Sequence, residues 1–309
     1  CRDSCCGGMI KGLVAHHSSP QIYLAGRTLR LDLQAPCIVG VLNVTPDSFS
    51  DGGRFCSGAE ALEQARSMAR DGGALIDIGG ESTRPGAPSV DEAEELDRVL
   101  PVIEALTREL DLPLSIDTSK STVAAAAVAS GVEFVNDISG LSYDPKMADV
   151  VAASGAGLIV MHSRGRPEAM QQNTDYEDLV AEVVASLQKS IRCAEQAGVA
   201  LDKIAIDPGI GFGKDTAGNL ELLRQTATLA ELGRPILLGT SRKSFIGQVL
   251  EQKVPADRLI GTMATLALGY AGGARMFRVH DVAAARQTVL MAQAVCDGAE
   301  WAASKPSLL

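Results

Sequence analysis

Aromatic side chains are scarce in this chain of 309 residues: one Trp, four Tyr and six Phe make up 4% of it. A core with so few rings has to be packed from aliphatic side chains, the habit of buried parallel strands covered by helices. Long apolar runs are missing as well. The patch at Leu13-Val14-Ala15 is too short for a signal segment, and no stretch approaches the roughly 20 residues that cross a bilayer. Positive charge is in short supply, with 28 Lys and Arg against 38 Asp and Glu and a formal net charge of −10. Nucleic acid and acidic membranes both require a basic face, so neither is an expected partner. A phosphorylated small substrate is not excluded, because Arg84, Lys243 and Arg278 can raise a local positive field. The seven cysteines form neither a paired framework nor a metal-ligand spacing. Cys1, Cys5 and Cys6 crowd the start while Cys37, Cys56, Cys193 and Cys296 are scattered, so reduced thiols and a cytoplasmic location are expected. Linkers, repeats and breaks in composition are also lacking. A single folded domain over residues 21–300 is expected, with a poorly ordered arm at 1–20 and a tail at 301–309.

What the chain has is a recurrent unit. Eight short apolar runs each end in polar or charged residues: at Asn43, at Glu81-Ser82-Thr83-Arg84, at Asp117, at Asn136-Asp137, at His162, at Asp207, at Ser241-Arg242-Lys243, and at Arg278 with His280. Strands are predicted near 37–43, 74–79, 112–117, 132–137, 156–162, 203–207, 235–240 and 274–279. Helices are predicted near 58–71, 90–109, 120–130, 145–154, 176–197, 217–231, 256–271 and 281–298. Ser89 with Glu92 reads as a capping box for the second helix, and Gly131, Gly155 and Gly198 stand where C-terminal caps belong. Ahead of the first unit, Tyr23 to Leu33 alternates around Ala25-Gly26, the pattern of a small hairpin that can plug a barrel floor. A doubly wound open sheet uses the same alternation but binds ligands at one switch point, leaving most strand ends without a task. Polar termini on nearly all eight runs favour an α/β fold closed as a (β/α)8 TIM barrel, in which those termini converge on one mouth.

The loop after the first strand reads Asn43-Val44-Thr45-Pro46-Asp47-Ser48-Phe49-Ser50-Asp51-Gly52-Gly53, and the loop after the second Gly79-Gly80-Glu81-Ser82-Thr83-Arg84-Pro85-Gly86. Polar loops bounded by Gly and Pro suit segments that close over a substrate. Two tempting motifs fail. Gly209-Ile210-Gly211-Phe212-Gly213 has neither the helix-opening geometry nor the following acid of a dinucleotide fingerprint, and Gly239-Thr240-Ser241-Arg242-Lys243-Ser244 lacks the second glycine of a P-loop.

These two loops, with Ser115-Ile116-Asp117-Thr118, Asn136-Asp137-Ile138, Asp207 to Lys214, Ser241-Arg242-Lys243-Ser244 and Arg278-Val279-His280-Asp281, match in order the motifs of the dihydropteroate synthase family. The chain resembles that family over about residues 22 to 298. The resemblance implies a folate-pathway transferase, of a family that sulfonamides target, joining 6-hydroxymethyl-7,8-dihydropterin diphosphate to 4-aminobenzoate with release of pyrophosphate. A pterin presents a 2-amino-4-oxo edge on which a carboxylate accepts two parallel N–H bonds, while an amide matches adjacent donor and acceptor atoms. Asp207 is the expected bidentate carboxylate, with Asp117 and Asn136 on other ring atoms, Lys243 donating to the 4-oxo and N5 side, and Met161 and Phe212 against the ring. Asn43 is implied in a Mg²⁺–pyrophosphate site. Arg278 and His280 alternate with Val279, both face inward, and form an anion site. Asp51 matches the family's acid beside the reacting methylene, where it would stabilise a pterin cation. Phe49, Thr83 and Arg84 resemble walls of the aminobenzoate pocket, and Ser244 at a helix N-terminus can bind its carboxylate.

The bland alternatives are strand-end carboxylates that merely satisfy backbone N–H groups, a core histidine at 280 and a solvated loop acid at 51. Ser163 departs from the pattern, standing where family members often carry methionine, and is expected to tune the fifth loop. A homodimer through the last helices is implied by the resemblance. The rival functions are a corrinoid-dependent methyltransferase of the related barrel family, which shares Asp117, Asn136 and Asp207, and a catalytically silent pterin-binding paralogue.

Overall fold

The computed structural model describes residues 23–45, 53–84, 86–299 and 301. The arm at 1–20, nearly all of the tail, and Phe49 and Asp51 lie outside the described residues. An antiparallel hairpin of β1 (Tyr23–Ala25) and β2 (Arg30–Asp32) comes first, paired Leu24 to Leu31. The βα units then follow as β3 (Cys37–Asn43), α1 (Gly53–Arg70), β4 (Leu75–Gly79), α2 (Glu92–Glu109), β5 (Leu114–Asp117), α3 (Ser121–Ala129), β6 (Phe134–Asp137), α4 (Met147–Ser154), β7 (Gly157–Met161) and α5 (Leu179–Ala197). The second half continues with β8 (Ile204–Asp207), α6 (Thr216–Arg224), α7 (Thr226–Ala230), β9 (Leu237–Leu238), α8 (Ser244–Val249), α9 (Leu259–Ala271), β10 (Met276–Val279) and α10 (Val282–Asp297). Parallel pairing runs β8-β7-β6-β5-β4-β3-β10-β9. A parallel bridge of Ile206 to Ile236, with the Ile206 N–H donating to Pro235 O at 2.9 Å, joins β8 to β9. The sheet therefore closes, and the doubly wound alternative is excluded.

Several details differ from the sequence reading. The strand at 235–240 is reduced to Leu237–Leu238, because Pro235 has no N–H to pair and the chain turns at Thr240, whose carbonyl accepts the Lys243 N–H. The helix at 217–231 breaks at Gln225 into α6 and α7. Asp91, not Ser89, caps α2: its carboxylate accepts the Glu94 N–H at 2.8 Å. Gly155 and Gly198 do close α4 and α5 in the left-handed conformation, while Ser130 caps α3 with left-handed Gly131 directly after it.

Alternation along each strand positions the site. Cys37, Val39, Leu75, Phe134, Ile159, Ala205, Leu237 and Met276 form one buried cluster with Leu24 and Leu33 of the hairpin segment. This cluster is the barrel floor, and the hairpin closes it. Its latch is polar. Glu133 accepts the Thr28 N–H at 2.7 Å and hydroxyl at 2.6 Å, and Lys203 donates to Gly26 O at 2.6 Å. Gly157 leaves room for this approach, since a Cβ there would strike the Phe134 ring and stand 2.7 Å from Ala25 O. The alternate residues, among them Ile76, Ile116, Val135, Val160, Ile206 and Phe277, face the helices in the larger core. Two residues above the floor on the same inner face come Asp77, Asn136, Met161, Asp207, Gly239 and Arg278. The interior thus changes from aliphatic to ionic in one step along the strands.

Candidate active site

Arg278 reaches from β10 across the barrel. Its Nε donates to Asp77 Oδ2 at 2.6 Å and its Nη2 to Asp117 Oδ2 at 2.7 Å. Asp77 Oδ2 also accepts from Asn136 Nδ2 at 3.0 Å. The second oxygens of both carboxylates and the hydroxyl of Ser115 are buried and have no partner among the described residues. Burial pushes the Asp117 carboxyl up, with Arg278 opposing and Asp77 adding to the rise. Burial also works against the charge on Arg278, but the two carboxylates more than restore it. Asn43 stands beside this group, since a Cβ on Gly79 would lie 3.7 Å from both its Oδ1 and the Cβ of Asp117.

Asp207, Lys243 and Arg278 surround Gly239. A Cβ on that glycine would lie 3.9 Å from Lys243 Nζ and Arg278 Cβ and 4.0 Å from Asp207 Oδ2. Asp207 Oδ1 accepts the Gly209 N–H at 2.6 Å. The bland reading of Asp207 is therefore correct for one oxygen, which fixes the carboxylate and leaves the other on the gap. Gly209 has a φ of 69°, and a Cβ there would overlap His162 O, so glycine is required. The Lys243 ammonium donates to Ile210 O and lies 4.6 Å over the Phe212 ring. Burial pushes its pKa down to about 8, against the attraction of Asp207. Ile138, Met161, Met170 and Phe212 form a separate apolar wall. Ser163 lies in the fifth loop, its hydroxyl donating to Gly165 O at 3.0 Å.

Lys214 organises the loop that carries Phe212. Its buried ammonium donates to Gly209 O at 2.9 Å and Phe212 O at 2.8 Å, and meets His162 Nδ1 at 2.9 Å. Burial drives Lys214 down to about 7 and His162 down to about 3, so the imidazole is neutral and offers Nδ1 as acceptor. The sequence reading gave no task to Asp77, Lys214, His162 or Met170. Asp77 carried one signal, a carboxylate at an inward position inside an otherwise aliphatic strand.

At the outer rim, His280 Nδ1 lies 3.0 Å from Ser241 Oγ, which also accepts the His280 backbone N–H at 3.3 Å. The hydroxyl can serve Nδ1 as donor while it accepts the backbone N–H, an arrangement that would leave the ring proton on Nε2. Burial holds this histidine down to about 4, with Arg242, Arg278 and Arg84 adding to the effect. Burial thus disfavours the charged form of His280. Thr83, Glu81 and Asp117 line a narrow cleft that runs to Tyr143 and Arg166. Arg84 and Ser244 are exposed. Ser244 opens a helix of only six residues, with Lys243 at the cap position. In the base of the second loop, Lys120 bridges Glu81 and buried Glu95.

Comparison with known proteins matches residues 39–280 to the family of pterin binding enzymes. The chain is 48% identical to the dihydropteroate synthase of Synechocystis sp. over 84% of its length and 89% of the relative. It is also 48% identical to that of Bacillus subtilis, covering 79% of this chain and 83% of the relative. Among solved structures it is similar to Xanthomonas albilineans dihydropteroate synthase with 4-aminobenzoic acid, at a TM-score of 0.85 and 42% identity over 93% of this chain and all of that one. The Yersinia pestis dihydropteroate synthase in a sulfonamide drug complex gives a TM-score of 0.83 and 43% identity over 88% and 98%.

Two lysines should titrate far below the ordinary value of about 10.4. In a spectrum of the chain labelled at lysine Cε and Nζ, one signal should move near pH 7 and one near pH 8, from Lys214 and Lys243. Lys243→Met should remove the second. Because both values are lowered, positive charge at Lys243 is present below pH 8 and lost as pH rises through it. A complete set of lysine signals titrating above pH 10 would contradict this account of the pocket.

Proposed function

The chain belongs to the dihydropteroate synthase family of pterin-binding enzymes, and we propose here how its barrel mouth carries out the family's transfer. The reaction joins 6-hydroxymethyl-7,8-dihydropterin diphosphate to 4-aminobenzoate, yielding 7,8-dihydropteroate and pyrophosphate. One observation carries the reading: a carboxylate oxygen of Asp207 and the Lys243 ammonium face the same gap over Gly239. A pterin edge offers an amine and a ring N–H to the carboxylate, and a 4-oxo group to the ammonium. Asn136 and Asp117 take the far ring atoms, while Met161 and Phe212 cover the ring face. The methyltransferase reading leaves Lys243 without a task, and the relatives named above are synthases.

The diphosphate lies toward Asn43, Arg278 and His280, with Arg84 adding positive field from the second loop. No group of three or more His, Cys, Asp or Glu among the described residues could hold a metal ion. A Mg²⁺ ion fits such a mouth only in its usual manner, keeping waters and phosphate oxygens with the Asn43 amide oxygen as the protein ligand. When bound it would neutralise charge on the departing diphosphate. Heterolysis of the methylene C–O bond sends the electron pair out with pyrophosphate and leaves a cation delocalised into the dihydropterin. Asp51 would stabilise that cation. The aniline nitrogen of 4-aminobenzoate, held between Phe49, Thr83, Arg84, Phe212 and Ser244, then forms the C–N bond and loses a proton.

Two broader assignments accompany this reading. Ile260 and Leu268 on α9 and Met291 and Val295 on α10 are exposed, Ile260 by 80% and Val295 by 69%. An apolar patch on two adjacent helices suits a homodimer. No helix among the described residues is long and apolar enough to cross a membrane, and Cys37, Cys193 and Cys296 are free thiols, which suits the cytoplasm.

With Mg²⁺ and both substrates, pyrophosphate and dihydropteroate should appear one to one. Asp207→Asn should weaken pterin affinity by about 2–4 kcal/mol in calorimetry, because it removes a charged acceptor and strands ring donors; unchanged affinity would move the pterin site elsewhere. Substrate carrying ¹⁸O in the bridging position should scramble label without 4-aminobenzoate, and Asp51→Ala should suppress it. An active enzyme that never scrambles would count against a stepwise cation. Sedimentation should show a dimer that Ile260→Glu with Val295→Glu dissociates; a parent chain that sediments as a monomer would refute the interface.

A further inference from the structure

Asp77 is buried beneath the mouth, 1% exposed and set in the middle of β4. It touches two residues of the site. Its Oδ2 accepts from Asn136 Nδ2 and from Arg278 Nε. An ionised carboxylate can only accept, so the end of the Asn136 amide turned toward it has to be the nitrogen. That contact uses one amide proton. The second N–H and the Oδ1 of Asn136 are then left in a fixed order for a ligand. With a partner able both to donate and to accept, the amide could turn over at little cost and exchange donor for acceptor.

The order matters for a pterin ring seated between Asp207 and Lys243, and the role of Asp77 rests on that reading of the site. With Asp207 on the 2-amino and N3 atoms and Lys243 on the 4-oxo and N5 side, the edge left is N1 and N8, which Asn136 meets with its amide and Asp117 with its unpartnered Oδ1. In a 7,8-dihydropterin N1 accepts and N8–H donates. In a fully oxidised pterin both nitrogens accept. We propose that Asp77 is a positioning residue that fixes the polarity of the Asn136 amide, N–H toward N1 and oxygen toward N8–H, and so selects the dihydro ring over the oxidised one. The oxidised ring sets its N8 lone pair against Asn136 Oδ1, and an acceptor facing an acceptor loses the hydrogen bond while keeping the cost of desolvation.

Calorimetry with 6-hydroxymethyl-7,8-dihydropterin and with 6-hydroxymethylpterin tests the assignment. The unaltered protein should prefer the dihydro ring by about tenfold or more, and Asp77→Asn should bring the ratio severalfold closer to one. In an Asn136→Ala background the same Asp77→Asn change should leave the ratio where Asn136→Ala alone put it. A role confined to Arg278 or to folding would weaken both ligands alike and leave the ratio unmoved, which would overturn the proposal. If neither ring binds the unaltered protein, the reading of the site itself fails instead. A second measurement needs no change at Asp77. The Asn136 side-chain amide signal, assigned by its loss in Asn136→Ala, should have one proton protected from exchange with solvent, and two rapidly exchanging protons would equally overturn the proposal.

Discussion

The barrel mouth depends on a single cation: the guanidinium of Arg278, held between Asp77 on β4 and Asp117 on β5. Two carboxylates on neighbouring strands of a closed interior repel one another and are poorly solvated, and burial together with Asp77 pushes the Asp117 carboxyl up. A planar fork answers both, because Nε and Nη2 leave the same rigid plane in different directions; an ammonium would act as one point charge. Ion pairs buried in this way contribute little net stability, and losing one member leaves an uncompensated charge. The fold tolerates the arrangement because the same atoms form the site.

The rest of the architecture separates that ionic layer from the aliphatic interior. The hairpin and the eight floor residues seal the bottom, so the barrel interior becomes polar only above that floor. Above them the loops are ordered by buried charge and by glycine. The Lys214 ammonium draws Gly209 and Phe212 carbonyls to one point, and left-handed Gly209 lets the chain pass against His162. This loop sets Phe212 under Lys243 and supplies the N–H that pins Asp207. Lowered lysine pKa values on either side of Asp207 follow from the same enclosure.

Much of this was legible in the sequence because strand-end residues announce themselves. Asn136, Asp207, Lys243 and Arg278 each follow an apolar run, and a closed barrel brings such endings together. Asp77 was not legible in that way. It lies inside a run rather than at its end, and only knowledge of which face points inward separates it from a tolerated polar residue. Lys214 was visible as the last letter of a motif, but its task depends on carbonyl groups that no residue type encodes. The protonation of His280 was not legible either: burial and nearby arginines hold its pKa down, and neither is visible along the chain. The cap of α2 was placed two residues early because Ser89 and Glu92 satisfy the spacing rule, while Asp91 has the better geometry at the helix end.

If Arg278 and its two carboxylates are kept for the site and not for the fold, stability and binding should separate when the triad is neutralised. The direct measurement is urea unfolding of three proteins: the parent, Arg278→Met, and Arg278→Met combined with Asp77→Asn and Asp117→Asn, each also titrated with a pterin. The single variant should lose about 3–5 kcal/mol, since it strands two buried carboxylates, and the triple variant should regain most of that loss. Neither should bind the pterin as the parent does. A triple variant as unstable as the single one, or one that binds the pterin with parental affinity, would contradict the account.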